Sequence, residues 1–327
     1  MTERYIRVID THHERWCIDI MKHDEGFLTA MKSQRFGVEI ELTGISKANV
    51  RRILTEYFND DELFDLQGRA WNVKYDSSIY GFYRYNGSLL ETSSNDYKVE
   101  FVSPVLEYGD IPMLQEIIRL IRKAGGISSG RYRCGIHVHV SDSGHNQNTL
   151  RNLIRLMSSK QYLLERALNI PDSRLSQYCQ YVSKDLEKRC KRSFKNMDAL
   201  QEAWNNTSDR YSMLNLSSLF SDKGIELRLF NGSLHAGVIK AYIQFSLALC
   251  QSAKDLKRAS SLIPRNNMND KYAMRTWLCR MHLNGDEFKT CRKFMTKSLI
   301  GESAFADPAT RKLIVDDDFN PDEVFKF

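Results

Sequence analysis

The chain has 327 residues, of which 42% are hydrophobic and 27% are charged, so it is long enough to bury a sizeable core. Its net charge of +6 favours anionic partners only weakly, and it contains no dense Lys/Arg tract of the nucleic-acid-tail type. No run approaches the roughly 18 apolar residues that a transmembrane helix needs, which argues against a membrane-spanning protein.

The seven cysteines indicate the redox compartment. Their number is odd, their spacing is irregular and no CxxC pair occurs, which is typical of free thiols in a reducing compartment. The N-terminus also lacks the charged-then-apolar pattern of a signal peptide. We therefore expect a cytoplasmic protein.

The predicted elements are strands with one covered face and helices that pack behind them, and no Gly/Ser/Pro linker divides the chain. We predict a single α+β unit made of an N-terminal extension (1–33), a main domain (34–262) and a helical C-terminal extension (263–327) that packs on it. The acidic tail (315–327) is expected to be peripheral. In chain order the predicted strands are 35–42, 71–80, 96–104, 131–140, 212–219 and 224–230, and the predicted helices are 46–58, 111–126, 148–168, pieces of 171–207, 237–259 and a charged region from about 267.

The first predicted strand, RFGVEIEL, alternates between apolar and polar residues with period two. Its polar face brings Glu39 and Glu41 to within about 7 Å of each other along the strand. Like charges at this separation raise each other's pKa and cost stability unless a cation lies between them. An edge strand with a solvated outer face is the simpler alternative for this motif alone.

The same alternation recurs in four further predicted strands. If these strands share one sheet, their polar residues form one concave wall rich in carboxylates. Each motif alone has a structural alternative: solvent-facing carboxylates, half-buried histidines or a surface ion pair. Glycines two residues before three of these side chains (Gly37, Gly135 and Gly224) indicate close approach of a ligand or of backbone. The wall residues are Glu39, Glu41, Asp76, Glu100, His137, His139, Glu226 and Arg228.

This composition predicts metal-assisted nucleotide chemistry. Massed carboxylates are tolerated when divalent cations bind between them. Oxygen-rich ligation favours Mg²⁺ or Mn²⁺, and histidine nitrogens shift the preference slightly towards Mn²⁺. An arginine beside them suits phosphate or acyl-phosphate oxygens because its planar guanidinium binds oxyanions in pairs.

Six motifs occur in the order seen in the amidoligase family, and residues 34–260 resemble that family. Its members are glutamine synthetase-like carboxylate–amine ligases of bacteria, phages and mobile elements. The resemblance implies a curved, mostly antiparallel sheet with helices packed on its outer face. It also implies ATP and Mg²⁺ (or Mn²⁺), and an acyl phosphate that an amine converts into an amide. The motifs are RFGVEIEL, YDSSI, KVEFVSPVL, CGIHVHV, RYSMLNL and GIELRLFNGSL.

The resemblance also implies residue roles. Arg228 would neutralise the transferring phosphoryl group, and Arg210 is a candidate clamp for phosphate or carboxylate. Asp76 would bind the amine or take its proton, although Ser77 replaces a glycine of the family's pattern there. His137 and His139 both remain candidates for the metal or the phosphate. The implied metal ligands are Glu39, Glu41, Glu100, His137 and Glu226, and the implied cofactor contacts are Arg35, His139, Asn215 and Arg228.

Other functions remain open from the sequence. A Zn²⁺ or Mn²⁺ hydrolase could use His137, His139 and Glu226, with the HHE run at 12–14. A guanidino phosphotransferase of the same fold and a non-catalytic binding module are further alternatives. The aromatic stretch 79–90 could be a lid, an adenine-stacking segment or ordinary packing. We expect a small-molecule or peptide carboxylate and amine as substrates and no membrane, and the sequence leaves nucleic-acid binding and oligomeric state open.

Overall fold

A six-stranded sheet organises the computed structural model, which describes residues 6–8, 25–261, 269–304 and 313–315. The strand order is β3–β6–β2–β7–β9–β8, and every neighbouring pair is antiparallel. The predicted α+β class with a mostly antiparallel sheet is therefore confirmed. The strands of this sheet are β2 (Phe36–Leu42), β3 (Asn72–Tyr75), β6 (Val99–Val102), β7 (Gly135–Val140), β8 (Leu214–Asn215) and β9 (Ile225–Asn231).

Helices cover the apolar face of this sheet. The apolar helix α8 (Ala236–Asp255) contacts β7 and four other helices, so it lies at the centre of the helical layer. Apolar side chains of the strands, such as Val38, Ile40 and Val138, are buried beneath these helices. The other helices are α1 (Glu25–Lys32), α2 (Lys47–Phe58), α3 (Ile111–Lys123), α4 (Gln147–Leu168), α5 (Asp172–Gln177), α6 (Lys184–Arg189), α7 (Met197–Asn205), α9 (Asp270–Arg280) and α10 (Lys289–Thr296).

Local signals account for several element ends. The Ser46 hydroxyl accepts the Asn49 N–H and begins α2, as the sequence predicted. The same helix ends at Asn59, whose φ of 53° is the left-handed conformation that asparagine tolerates. The polar stretch 171–207 forms the short helices α5, α6 and α7, which confirms its prediction as helical pieces.

Two segments within the main domain differ from the sequence predictions. The predicted strand 212–219 pairs with β9 only at Leu214–Asn215, has an isolated bridge from Ser212 to Gln180, and then turns into a 3₁₀ helix at Leu219–Ser221. The aromatic stretch 79–90 contributes to a hairpin of β4 (Phe82–Tyr85) and β5 (Ser88–Glu91). Asn86 and Gly87 connect these strands with positive φ angles, the Asn-Gly signal of a tight hairpin that the sequence analysis missed.

The chain ends contribute a small separate sheet. β1 (Ile6–Val8) pairs antiparallel with β10 (Leu313–Val315), so part of the C-terminal extension that was predicted to be helical is a strand. The HHE run at 12–14 and residues 316–327 of the acidic tail lie outside the described residues. Among the described helices, none is both long enough and apolar enough to cross a bilayer.

Candidate active site

A cavity of about 720 Å³ opens over the polar face of the six-stranded sheet. We call it the sheet cavity. Arg35 lies outside it, in a neighbouring groove of about 410 Å³ that shares Glu39, His139 and Lys223 with the sheet cavity. The structure brings together all the other predicted site residues, namely Glu39, Glu41, Asp76, Glu100, His137, His139, Arg210, Asn215, Glu226 and Arg228.

The strand register explains this convergence. Glu39 lies opposite His137 across β2 and β7, and His139 lies opposite Glu226 across β7 and β9. On the other side of β2, Glu41 lies opposite Glu100 of β6. Directly opposite residues in an antiparallel pair have Cβ atoms about 5 Å apart, so these side chains are within contact distance.

Glu39 bridges the two histidines. Its Oε2 lies 3.1 Å from His137 Nδ1, and its Oε1 lies 3.4 Å from His139 Nε2. Burial alone would raise the pKa of Glu39, but its contacts with the His137 and His139 side chains hold that pKa well below its usual range. Burial alone would lower the pKa of His139, but the nearby Glu39 and Glu226 carboxylates raise it above its usual value.

Glu226 is held by three neighbours. Its Oε1 accepts from Arg228 Nη1 at 2.6 Å, and its Oε2 accepts from Asn215 Nδ2 at 2.6 Å. Its Oε1 also lies 3.3 Å from His137 Nδ1. Because Glu226 is buried, these contacts offset the cost of removing its charge from water.

Glu41 and Glu100 lie farther along the sheet. Glu41 Oε2 accepts the Gly135 N–H at 2.5 Å, and its Oε1 lies 3.7 Å from His137 Nε2. Glu100 lies among other acids: burial, and then the charges of Glu39, Asp76 and Glu41, raise its pKa to about 7. A group of acids that raises the pKa of one of its members is a setting in which a divalent cation relieves repulsion.

One part of the sheet cavity fits a divalent cation. One ligand atom each from Glu39, His139 and Glu226 lie within 4.8 Å of one another. His139 Nε2 is buried and makes no hydrogen bond to any described residue, although Glu39 is near it. Carboxylate oxygens with one imidazole nitrogen suit Mg²⁺ or Mn²⁺. The geometry favours His139 over His137 here, so metal binding by His137 stays a prediction.

Sequence reasoning missed Arg174, and it explained Gly135 incompletely. The Arg174 side chain is buried, and its Nη2 donates to the carbonyls of Arg228 (2.9 Å) and Phe230 (3.0 Å). A Cβ at Gly135 would overlap that Nη2 atom, so the glycine makes room for arginine. Nothing near Arg174 in the chain signals this role, because its partners are more than fifty residues away.

The other two glycines have different roles. Gly224 has a φ of +75°, and a Cβ there would lie 2.6 Å from the Val140 carbonyl oxygen, so it marks a close approach of backbone. Gly37 has no such crowding, since the nearest neighbour of a Cβ there would be the Pro104 carbonyl oxygen at 3.7 Å. No backbone of the described residues therefore approaches Gly37 closely, and close approach of a ligand there stays a prediction.

Comparisons with known proteins give one family. A family model described as "Putative amidoligase enzyme" matches residues 32–250, which is more than half of the chain. The crystal structure of a bifunctional glutathione synthetase from Pasteurella multocida aligns with 89% of this chain and 49% of that enzyme, at 11% identity and a TM-score of 0.38. This chain thus spans about half the length of that enzyme. No curated protein matches the chain in sequence.

Proposed function

Because the chain belongs to the amidoligase family, we propose that it joins a carboxylate to an amine at the expense of ATP. One observation carries this proposal: four glutamates, two histidines and Arg228 from neighbouring strands line a single cavity. We propose that the sheet is of the glutamine synthetase-like catalytic type. The substrates would be a small-molecule or peptide carboxylate and an amine.

The proposal assigns the cation to Glu39, His139 and Glu226, whose ligand atoms already lie together. Glu41 and Glu100 are neighbouring carboxylates that could take part. When bound, Mg²⁺ or Mn²⁺ supplies positive charge beside phosphate oxygens. Arg228, which Glu226 orients, would contact an oxygen of the phosphoryl group during its transfer.

The proposed reaction has two steps. First, a substrate carboxylate oxygen attacks the γ-phosphorus of ATP, the bond from that phosphorus to the bridging oxygen breaks, and ADP leaves. Second, the amine nitrogen attacks the acyl carbon of the acyl phosphate, the carbon–oxygen bond to phosphate breaks, and an amide forms. Asp76 lines the cavity and is the proposed acceptor of the amine proton. Its Oδ1 accepts the Ser78 N–H at 2.7 Å, which orients the carboxylate.

A metal-dependent hydrolase is the second candidate. The group of Glu39, His139 and Glu226 could also hold a cation that activates water. Such an enzyme needs no ATP, so nucleotide consumption separates the two candidates. A guanidino phosphotransferase would form ADP without an amide.

The first test is ADP formation by the purified protein with Mg²⁺ or Mn²⁺. The protein is incubated with ATP and pooled amino acids, polyamines and short peptides, and products are identified by mass. We expect ADP, phosphate and a product lighter by one water than its two precursors combined. If no ADP forms, and ATP with metal does not raise the melting temperature, the ligase assignment is wrong.

Variants then connect activity to the site. Glu39→Gln and Glu226→Gln should each lower metal-dependent ADP formation by about a hundredfold or more, because each removes charge where phosphate and cation meet. They should also abolish the rise in melting temperature that Mn²⁺ alone causes in the unmodified protein. Glu62→Gln, at an exposed glutamate outside the cavity, is the matched control. Unchanged activity in both site variants would contradict the assignment.

A further inference from the structure

Three arginines converge at one end of the sheet cavity, where β2 and β9 finish and β7 and β8 begin. Arg133 precedes β7, and Arg210 precedes β8. Arg174 lies against Gly135, the first residue of β7, and donates to carbonyls near the end of β9. All three arginines line the cavity. We call Arg133, Arg174 and Arg210 the arginine end.

The carboxylates of the cavity form no ion pairs with these three arginines. Glu226 is paired with Arg228, and Glu41 accepts a backbone N–H. Glu39 faces the two histidines. Among the described residues, no carboxylate oxygen lies within 4.0 Å of a guanidinium nitrogen of the arginine end. This end of the cavity therefore carries positive charge that the protein itself does not neutralise by direct contact.

Two of the arginines, both of them exposed, lie over tyrosine rings. The Arg133 guanidinium lies 4.4 Å from the ring centroid of Tyr80, and that of Arg210 lies 4.9 Å from the ring centroid of Tyr211. Stacking orients a guanidinium and leaves the N–H groups along its edge available for an oxyanion. Arg133 also has a φ of +58°, an uncommon conformation for a residue with a side chain, and such strain is concentrated at functional sites.

Arg174 adds a buried donor. Its side chain is only slightly exposed, with a residue exposure of 6%, and Nη2 makes its two bonds to carbonyls. Its Nε is buried and has no hydrogen-bond partner among the described residues. Buried donors in folded proteins are nearly always paired, so an unpaired one in a side chain that lines a cavity indicates an acceptor supplied by a ligand.

We infer that the arginine end binds a second carboxylate of the substrate, so the acid substrate is a dicarboxylate, such as an acidic amino acid or an acidic residue with a free α-carboxylate. One carboxylate would lie at the Glu39–His139–Glu226 group and be activated there. The other would accept paired hydrogen bonds from the stacked arginines. This inference rests on the proposed ligase function, but its test measures binding and needs no turnover.

The test is calorimetric titration of the full chain with glutarate and adipate. Butyrate and hexanoate serve as the monoacids for comparison, and all titrations contain Mg²⁺ and a non-hydrolysable ATP analogue. We expect at least one diacid to bind at least about tenfold more tightly than its monoacid. Arg133→Gln and Arg210→Gln should each weaken that diacid by about tenfold, the effect of losing one charged hydrogen bond. Arg133→Gln should leave monoacid and nucleotide binding unchanged.

Arg131→Gln is the matched control. Arg131 is exposed, lies two residues before Arg133 and also lies over a tyrosine ring, that of Tyr132 at 5.9 Å, but it is not part of the cavity lining. It should change none of the affinities. Diacids that bind no better than monoacids would overturn the inference, and so would variants that weaken the ATP analogue instead. Diacid binding as expected, without ADP formation under any condition, would overturn the ligase proposal alone.

Discussion

At the scale of single residues, Glu100 shows how burial and neighbouring charges shift a pKa in the sheet cavity. It lies opposite Glu41 on one side and opposite Lys74 on the other. Burial is the main reason why its pKa is raised to about 7, and the charges of nearby acids add to that effect more than Lys74 opposes it. A carboxyl group that is harder to ionise in the folded than in the unfolded chain costs stability when it is charged.

The sign of the pH dependence follows from this shift. In the unfolded chain Glu100 has its ordinary pKa near 4.5, so between about pH 4.5 and 7 the folded state binds more protons than the unfolded state. Below about pH 4.5 Glu100 is protonated in both states and does not destabilise the fold. The free energy of unfolding then falls as the pH rises from 4.5 towards 7. Above that pH its destabilising effect is complete and constant.

We predict that Glu100→Gln stabilises the metal-free protein at pH 8 and has much less effect at pH 5, where Glu100 is protonated in the folded state. Melting temperatures in EDTA at the two pH values measure this difference. Glu62→Gln, at an exposed position, should show no such dependence. Equal effects of Glu100→Gln at both pH values would contradict the raised pKa.

At the scale of elements, the β7–β9 pairing depends on Gly224. This glycine precedes β9 and has a φ of +75°. A Cβ would lie 2.6 Å from the Val140 carbonyl oxygen, at the point where Val140 pairs with Ile225. A side chain at this position thus meets both backbone strain and a steric clash with an atom that cannot rotate away.

We predict that Gly224→Ala lowers the free energy of unfolding more than Gly68→Ala does. Gly68 has a similar φ of +71°, but a Cβ there would meet no atom within 4 Å, so its substitution measures the backbone strain alone, about 1–2 kcal/mol. The clash at Gly224 should add about 1–3 kcal/mol. Urea unfolding of both variants measures the two losses in the free energy of unfolding. Equal losses would show that β9 moves to relieve the clash without a free-energy cost.

At the scale of the whole molecule, residues 269–304 share the main hydrophobic core. Helix α10 contacts α8, and Trp277 of α9 packs edge-on against Phe245 of α8 at 5.5 Å. Phe288 is fully buried in the same core. Glu287 accepts hydrogen bonds from Lys32 of α1 and from Tyr108, so this region is connected to α1 and to the turn before α3.

We predict that Phe288→Ala lowers the free energy of unfolding by about 3–5 kcal/mol, the usual cost of emptying a buried aromatic site. The sheet and these helices should still unfold in one transition, followed in urea by circular dichroism and by tryptophan fluorescence. Ile300→Ala, at an 89% exposed position, should change stability by less than about 0.5 kcal/mol. Two separate transitions would show that residues 269–304 are an independent unit.

Much of the candidate site follows from the sequence because alternation in a strand is local. Glu39 and Glu41 had to share a face once β2 was a strand, and the same holds for His137 with His139 and for Glu226 with Arg228. The helix that Ser46 begins was predictable for the same reason, since a cap contacts residues only three positions away. Hairpin β4–β5 also has a local signal, Asn86–Gly87, so it too was predictable from the sequence.

The α+β class, the alternating faces of the strands and the resemblance to the amidoligase family can thus all be read from the sequence. Which of the site residues meet depends on the tertiary structure. The grouping of His139 with Glu39 and Glu226, the separation of Arg35 from the sheet cavity, and the place of Arg174 against Gly135 all depend on strand order and register. Those are set by contacts between residues far apart in the chain, so no short stretch of sequence contains them.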